Sequence, residues 1–285
     1  MILITGASGH VGRRVSELLS QQDAKLRLMS RTPGKVPKIA GAEVVAGDFQ
    51  NLDGLKRAFA AVEKALVISG KAEPGERARL HKNAFEAAAS ARVKQIVYLS
   101  LKGASTNSLY PYCRDHFESE QFLAATGIPY TALRGAFYMD MLFGKFDSHG
   151  VVRGPAGNGR GAFIAREDTA RAAAAALLAR PAGRVEVTGR QEMGLDDIAC
   201  RLSEITGRTL RYEDEAPDAT ANRLRQTSMP EWAQAAEVGW FRAIAAGEQA
   251  GASHGYQRLT GIEPLNIEQY CSALPDVISG LRAAA

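Results

Sequence analysis

A glycine-rich turn near the start of the sequence constrains the fold more than any other feature. An apolar run over residues 1–5 precedes Gly-Ala-Ser-Gly-His-Val-Gly at 6–12, and Val11, Val15, Leu18 and Leu19 then recur at helical spacing. The order is strand, tight turn and helix. Such a turn lets the backbone approach a pyrophosphate and directs a helix N-terminus at it. We predict a dinucleotide site that includes Gly6, Ser8, Gly9, His10, Val11 and Gly12, with an ordinary βα turn as the alternative.

The segment after the second predicted strand indicates which dinucleotide is bound. Residues 25–30 alternate between polar and apolar, and Arg31 follows at the strand end. In dinucleotide-binding folds an acid at this place binds the ribose 2′-hydroxyl of NAD, whereas an arginine accommodates the 2′-phosphate of NADP. No Asp or Glu occurs between Ala24 and Ala42, and Lys35 adds a further positive charge. The pattern therefore predicts NADPH, with a solvated basic loop as the alternative.

Strands and helices alternate regularly as far as residue 134. Further strands are predicted at 43–49, 64–70, 95–100 and 130–134, with helices at 51–61, 73–91 and 116–126. This alternation is typical of an α/β fold with a Rossmann-type, doubly wound parallel sheet. Ligands of such sheets bind at the carboxyl ends of the strands.

Two of these strand ends add candidate cofactor residues. Asp48 and Phe49 close the predicted segment 43–49, just past the end of its strand, where a carboxylate can accept a hydrogen bond from the adenine amino group. An N-cap for the following helix is the other role open to Asp48. Ser69 and Gly70 end the fourth strand and are expected to line the same trough.

The alternation loosens after residue 135, and we divide the chain at residue 150. Residues 1–150 are predicted to form the NAD(P)-binding Rossmann domain. Residues 151–285 form a mixed region, part of which returns to the sheet and part of which forms a smaller C-terminal substrate lobe. The glycine-rich segment 153–161 is predicted to be a loop. Trp232 and Trp240 lie in a helical region that begins near Pro230, and they indicate either a small hydrophobic core or a substrate lid.

Composition narrows the classes of partner. The chain has 285 residues, 46% of them hydrophobic, and a formal net charge of only +4, which is ordinary for a globular protein. Its basic residues are scattered, so no nucleic-acid partner is expected. The cysteines and histidines lack metal-ligand spacing, and no apolar run is long enough to span a membrane. With its first glycine at position 6, the chain leaves no room for a signal peptide, and we expect a cytoplasmic protein. A homodimer stays open.

Three segments carry a family resemblance. Residues 4–12, 46–49 and 127–135 resemble the NmrA-like branch of the atypical short-chain dehydrogenase/reductases. Within that branch the chain is most similar to the bacterial NAD(P)H:quinone oxidoreductase and triphenylmethane dye reductase group, which residues 116–120 and 137–140 also match. The resemblance covers most of the chain and fades after about Gly207. It implies an extended Rossmann fold, a C-terminal substrate lobe and bound NAD(P)H.

The resemblance also draws attention to a tyrosine. Orthodox short-chain dehydrogenases use Tyr-x-x-x-Lys, in which the lysine lowers the pKa of the tyrosine. Here Tyr112 is followed at that spacing by His116. We predict that one of the two supplies the hydrogen bond or proton, with Ser100 as an orienting group. The alternative is that both simply open a helix.

Two hypotheses for the function follow. The first is an NADPH-dependent reductase of quinones or related conjugated small molecules by hydride transfer. Phe137 and Tyr138, directly after the sixth strand, are its predicted substrate residues, because flat aromatic walls suit a planar substrate. The second is an NmrA-like regulator that senses NADP(H) without turnover, since a fold does not fix a function.

Overall fold

Most of the strands belong to one central parallel sheet. The computed structural model describes residues 1–70 and 72–273. In chain order its strands are β1 Ile2–Ile4, β2 Leu26–Ser30, β3 Glu43–Ala46, β4 Lys64–Val67, β5 Gln95–Leu101, β6 Tyr130–Gly135, β7 Val151–Gly154, β8 Arg160–Gly161, β9 Gly183–Val187, β10 Met193–Gly194 and β11 Arg211–Asp214. The central sheet has the order β3-β2-β1-β4-β5-β6-β9, and all its pairs are parallel. The chain reverses its direction of growth between β1 and β4, which confirms the doubly wound prediction.

Helices cover both faces of this sheet. They are α1 His10–Ser20, α2 Leu52–Phe59, α3 Glu76–Ser90, α4 Pro111–Ala125, α5 Met139–Phe143, α6 Arg166–Leu178, α7 Leu195–Thr206, α8 Pro217–Arg225, α9 Glu231–Ala245, α10 Gly255–Thr260 and α11 Ile267–Ala273. One apolar layer joins the sheet to α1 and α6, and a second joins it to α2, α3 and α4. The alanines of α6 keep its side chains short, so that it packs closely on α1. Among the described residues no helix is both long and apolar enough to cross a bilayer.

Helix α4 begins earlier than the sequence indicates. The predicted start was residue 116, whereas the helix starts at Pro111. Proline suits the first helical position because its fixed φ is already helical and no hydrogen bond from its nitrogen is needed there. Tyr112 and His116 consequently lie inside one helix, one turn apart.

The chain after β6 forms a third apolar cluster. Its centre is Trp240, which is 1% exposed and stacks on Phe137 with the ring centroids 5.3 Å apart. This confirms the hydrophobic-core interpretation for Trp240, whereas Trp232 remains 37% exposed. The predicted loop at 153–161 is wrong in part, because β7 ends and β8 begins within it; β7 pairs with β11 and β8 with β10.

The chain returns to the central sheet at β9, which pairs with β6. The division at residue 150 and the role of the later segments as a substrate lobe stay predictions. Residues 274–285 of that predicted lobe lie outside the described residues.

Candidate active site

The glycine turn folds back on itself at the carboxyl end of β1. Gly6 has a φ of +61°, and the amide of Gly9 donates to the Gly6 carbonyl oxygen at 2.9 Å. A Cβ at Gly12 would collide with that carbonyl oxygen and lie 2.9 Å from the Cα of Ala7. A Cβ at Gly9 would lie 3.3 Å from the same oxygen, so Gly9 has slightly more room. Gly12 is therefore needed for the turn itself, while Gly9 keeps its exposed surface open to a ligand.

Helix α1 begins at this turn with its amides uncapped. No side chain caps it at Gly9, and no acidic residue occupies its first turn, in which His10 is exposed and Val11 is buried. The first amides of a helix have no partner within the helix, and the helix dipole favours an anion beside them. The turn and the helix start thus fit the pyrophosphate of a dinucleotide.

Positive charge collects at the end of β2. The Ser30 hydroxyl lies 2.9 Å from that of Ser8, so the two serines link the strand end to the glycine turn. The adjacent Arg31 is exposed and forms no ion pair with any described residue. Arg13, in the first turn of α1, reaches across so that its Nη2 donates to the Lys35 carbonyl oxygen at 3.4 Å. These unpaired cations suit a phosphate group beside the pyrophosphate site.

Asp48 does not cap the following helix. The cap of α2 is Asn51, whose Oδ1 accepts from the Gly54 amide at 2.9 Å. The helix-cap role is therefore wrong for Asp48, whose Oδ1 accepts from the Gln50 amide in a local turn. Phe49 is held by its carbonyl oxygen, which accepts from Asn83 Nδ2 at 2.8 Å. Both candidate residues remain partly exposed.

Ser69 and Gly70 follow β4, the strand beside β1 on the side away from β2. The preceding Ile68 donates its amide to the Thr5 hydroxyl at 2.8 Å and lies against Gly6. Ser69 is partly exposed and Gly70 is exposed. The structure therefore brings both residues to the edge of the sheet that holds the glycine turn.

Ser100 is committed to a buried ion network. Its hydroxyl donates to Glu120 Oε1 at 2.6 Å. Glu120 is fully buried and also accepts from Arg134 and Arg184, each at 2.6 Å to Oε2. The expected orienting role of Ser100 toward Tyr112 or His116 is not supported, because its proton is directed at a carboxylate within this network.

His116 faces the sheet rather than the trough. It is 2% exposed, and its Nδ1 lies 2.7 Å from the hydroxyl of Tyr98, which in turn lies 2.9 Å from Nδ1 of His81. Burial lowers the pKa of His116 well below its ordinary value and that of His81 to about 3. A neutral, enclosed imidazole cannot deliver a proton at the rim, so the structure does not support His116 as the donor.

Tyr112 is the predicted catalytic residue whose side chain stays partly exposed. The guanidinium of Arg77, in the first turn of α3, lies 3.8 Å from the centre of its ring. Burial raises the pKa of the Tyr112 phenol, and the charge of Arg77 opposes that rise. The phenol is therefore protonated at neutral pH and beside a cation, which suits a hydrogen-bond or proton donor.

Phe137 and Tyr138 point to opposite sides of the chain, as successive residues of an extended segment do. Phe137 is 3% exposed, and its ring lies 5.1 Å from Tyr110 and 5.3 Å from Trp240. The prediction of Phe137 as a substrate wall is therefore wrong, because core side chains occupy its surroundings. Tyr138 is partly exposed, with the Arg166 guanidinium 5.5 Å from its ring centre. It remains a candidate substrate contact.

Two arginines of this region were not predicted from the sequence. Arg13 directly follows the last glycine of the turn, and that position is a usable signal for a phosphate contact. Arg77 comes from a helix distant in sequence from Tyr112, so no spacing pattern indicates it. Within residues 1–70 and 72–273, no group of three His, Cys, Asp or Glu side chains is arranged to hold a metal ion.

Comparison with known proteins agrees with this geometry. A family model described as NAD(P)H-binding matches residues 6–180. Quinone oxidoreductase 2 of Escherichia coli (strain K12) is 35% identical over 240 residues, which are 81% of this chain and 83% of that protein.

Two solved structures share the whole architecture. The NADPH-dependent quinone oxidoreductase of Escherichia coli complexed with NADPH matches with a TM-score of 0.88 at 31% identity, over 96% of this chain and 99% of that one. The triphenylmethane reductase of Citrobacter sp. complexed with NADP(H) matches with a TM-score of 0.82 at 27% identity, over 95% and 99% of the two chains. The chain therefore belongs to the NAD(P)H-binding family and to the oxidoreductases within it, as the NmrA-like resemblance implies.

Proposed function

We propose that the protein is an NADPH-dependent reductase of quinones or related conjugated small molecules. The observation that carries this proposal is the uncapped start of α1 at the glycine turn, beside the unpaired Arg31. The similarity to a quinone oxidoreductase at 35% identity supports the substrate class. The start of α1 and Arg31 lie at the same edge of the sheet, where ligands of doubly wound folds bind.

The nucleotide is held by groups from four strand ends. The amides of the glycine turn and of the first turn of α1 bind the pyrophosphate, and Arg31 binds the 2′-phosphate. Arg13 lies close enough to the 31–35 segment to assist, since it already contacts Lys35. Asp48 accepts from the adenine amino group, while Phe49, Ser69 and Gly70 line the trough. Bound NADPH supplies the hydride, so the protein mainly positions the substrate and stabilises the charge that develops on it.

Tyr112 provides that stabilisation. Its protonated phenol donates a hydrogen bond, and then a proton, to the oxygen of the substrate that becomes negative during reduction. Tyr138 contacts the substrate ring from the segment after β6. Ser100 contributes indirectly, by holding Glu120 and thereby the packing of α4 against β5.

Oxidation of NADPH in the presence of a panel of quinones tests this function. A reductase shows a substrate-dependent decrease in absorbance at the wavelength of the reduced nicotinamide. The Gly9→Val variant shows no such decrease. The regulator hypothesis gives the opposite result: tight binding of NADP(H) with no turnover of any acceptor.

The expectations about location, nucleic-acid partners and oligomeric state stay predictions. They are a cytoplasmic location, no nucleic-acid partner and an open choice between monomer and homodimer. Light scattering of the purified chain measures its mass in solution, and a gel-shift assay with random DNA tests for nucleic-acid binding.

A further inference from the structure

We propose that Arg77 takes the place of the lysine in the Tyr-x-x-x-Lys arrangement, as the positioning residue that stabilises the ionised form of Tyr112. This inference rests on the proposed role of Tyr112 as the proton donor. It assigns the supporting charge to α3, a different helix from the one that carries the tyrosine.

The first step of the argument is that His116 cannot carry the charge. It stands at the lysine position of the pattern, yet its imidazole is enclosed between α4 and β5 and bound to Tyr98. A cation there would lie in the apolar layer beside His81 and Tyr98, and none of the described carboxylates is hydrogen-bonded to it. His116 thus acts as a neutral packing and hydrogen-bonding residue.

The second step is the position of Arg77. Its guanidinium lies against the face of the Tyr112 ring, 3.8 Å from the centre. A guanidinium is always charged in proteins, and a cation over an aromatic face is attracted to it. The segment before α3 is tied to α4 as well, because the Gly75 amide donates to Asp115 Oδ1 at 2.9 Å. This bond fixes the beginning of α3, and with it Arg77, beside the first turn of α4.

The third step concerns the ionic surroundings of Arg77. Among the described residues no carboxylate lies within ion-pair distance of its guanidinium, and its buried Nε has no hydrogen-bond partner. Arg79, two residues later on the same helix, pairs with Glu76 at 2.5 Å. Partial burial of an arginine without a counter-ion costs free energy, because the charge loses contact with water and gains no ion pair in return. Its charge acts on the adjacent phenol, because it lowers the pKa of Tyr112 against the effect of burial.

The resulting step is balanced. The substrate gains a hydride at carbon or oxygen, and its developing oxyanion takes the phenol proton of Tyr112. The phenol O–H bond breaks, the substrate O–H bond forms, and the tyrosinate left behind faces the positive guanidinium. Water then returns a proton to Tyr112, whose side chain is partly exposed. Glu73 and Asp115 also act on this phenol and disfavour its ionised form, so Arg77 is the group that counters them.

A titration of the protein without nucleotide tests the proposal. Tyr112 is replaced by a fluorinated tyrosine that titrates near neutral pH, and its ionisation is followed by absorbance. We expect Arg77→Met to raise the pKa of that residue by about one unit or more, because removal of an opposite charge at this distance has an effect of that size. Arg77→Lys retains most of the effect. Arg79→Met is the matched control and leaves the titration unchanged.

Kinetics separate this inference from the proposed function. We expect Arg77→Met to lower kcat about tenfold or more with little change in the NADPH Kd, and to have no further effect in the Tyr112→Phe background. Circular dichroism and thermal melting confirm that each variant is folded, and Arg77→Gln, which also removes the charge, serves in place of Arg77→Met if the latter does not fold. Full kcat in Tyr112→Phe contradicts the donor role itself. A reduced kcat in Tyr112→Phe together with an unshifted titration in Arg77→Met contradicts the role of Arg77 alone.

Discussion

Single glycines in the nucleotide turn do different things. Gly9→Val places a branched side chain on the exposed surface of the turn, so we expect nucleotide binding to be lost while the thermal midpoint stays close to that of the wild type. Gly12→Ala forces a Cβ onto the Gly6 carbonyl oxygen, so we expect a lower thermal midpoint even without ligand. Calorimetric binding and thermal denaturation of both variants measure the difference. Wild-type affinity in Gly9→Val would place the pyrophosphate elsewhere.

Arg31 sets the preference between nucleotides at the same scale. A charge-assisted contact to the 2′-phosphate is worth about 1.5–3 kcal/mol, so Arg31→Asp should weaken NADPH binding by at least tenfold and NADH binding much less. Lys38→Asp, an exposed change in the same loop, is the control for general electrostatics. Equal affinity of the wild-type protein for the two nucleotides would contradict the assignment.

At the scale of elements, α3 and α4 enclose two neutral imidazoles against β5. Both His81 and His116 have a lowered pKa in the folded chain, whereas in the unfolded chain each titrates near pH 6.5. These two imidazoles therefore leave the free energy of unfolding unchanged above pH 6.5. Below that pH they lower it, because the unfolded chain then binds protons that the folded chain does not.

We expect the free energy of unfolding to fall between pH 7 and pH 5 by about 2 kcal/mol for each imidazole. Urea denaturation at the two pH values measures it. His81→Gln should show a smaller fall than the wild type, whereas a fall of unchanged size would mean that other groups account for the pH dependence.

Elements were easier to predict than side-chain directions. The first six strands, their order along the chain and the glycine turn follow from local periodicity, and the structure confirms the doubly wound sheet. The short strands β7 and β8 do not follow from it, because a glycine-rich segment gives no alternating pattern. The start of α4 was placed too late because Pro111 is a permitted first residue of a helix. The surroundings of His116 and Phe137 depend on which side of α4 and of the segment after β6 meets another element. Those contacts are tertiary, and the spacing of residues in one sequence does not predict them.

At the scale of the whole molecule, Trp240 holds together the segments after β6. Its ring contacts Phe137, Phe163 and Phe241, and it is almost fully buried. Trp240→Ala should lower the free energy of unfolding by about 3–5 kcal/mol, as expected for loss of a large core aromatic residue. Trp232→Ala, a surface change, should alter it by only about 0.5 kcal/mol. Chemical denaturation followed by circular dichroism compares the two, and similar losses would mean that Trp240 is not central to this core.

The late return of the chain to the sheet at β9 has a consequence for protein synthesis. Several hydrogen bonds of residues 1–150 are made with residues that are translated after position 150. The Gln95 side chain donates to the Ala176 carbonyl oxygen, Lys64 donates to that of Leu177, and Glu120 needs Arg184. The glycine turn leaves the ribosome well before β9, and its supporting sheet lacks an edge strand until β9 has emerged. Nascent chains halted before that point should therefore be protease-sensitive and dependent on chaperones, although the whole predicted nucleotide site has already been translated.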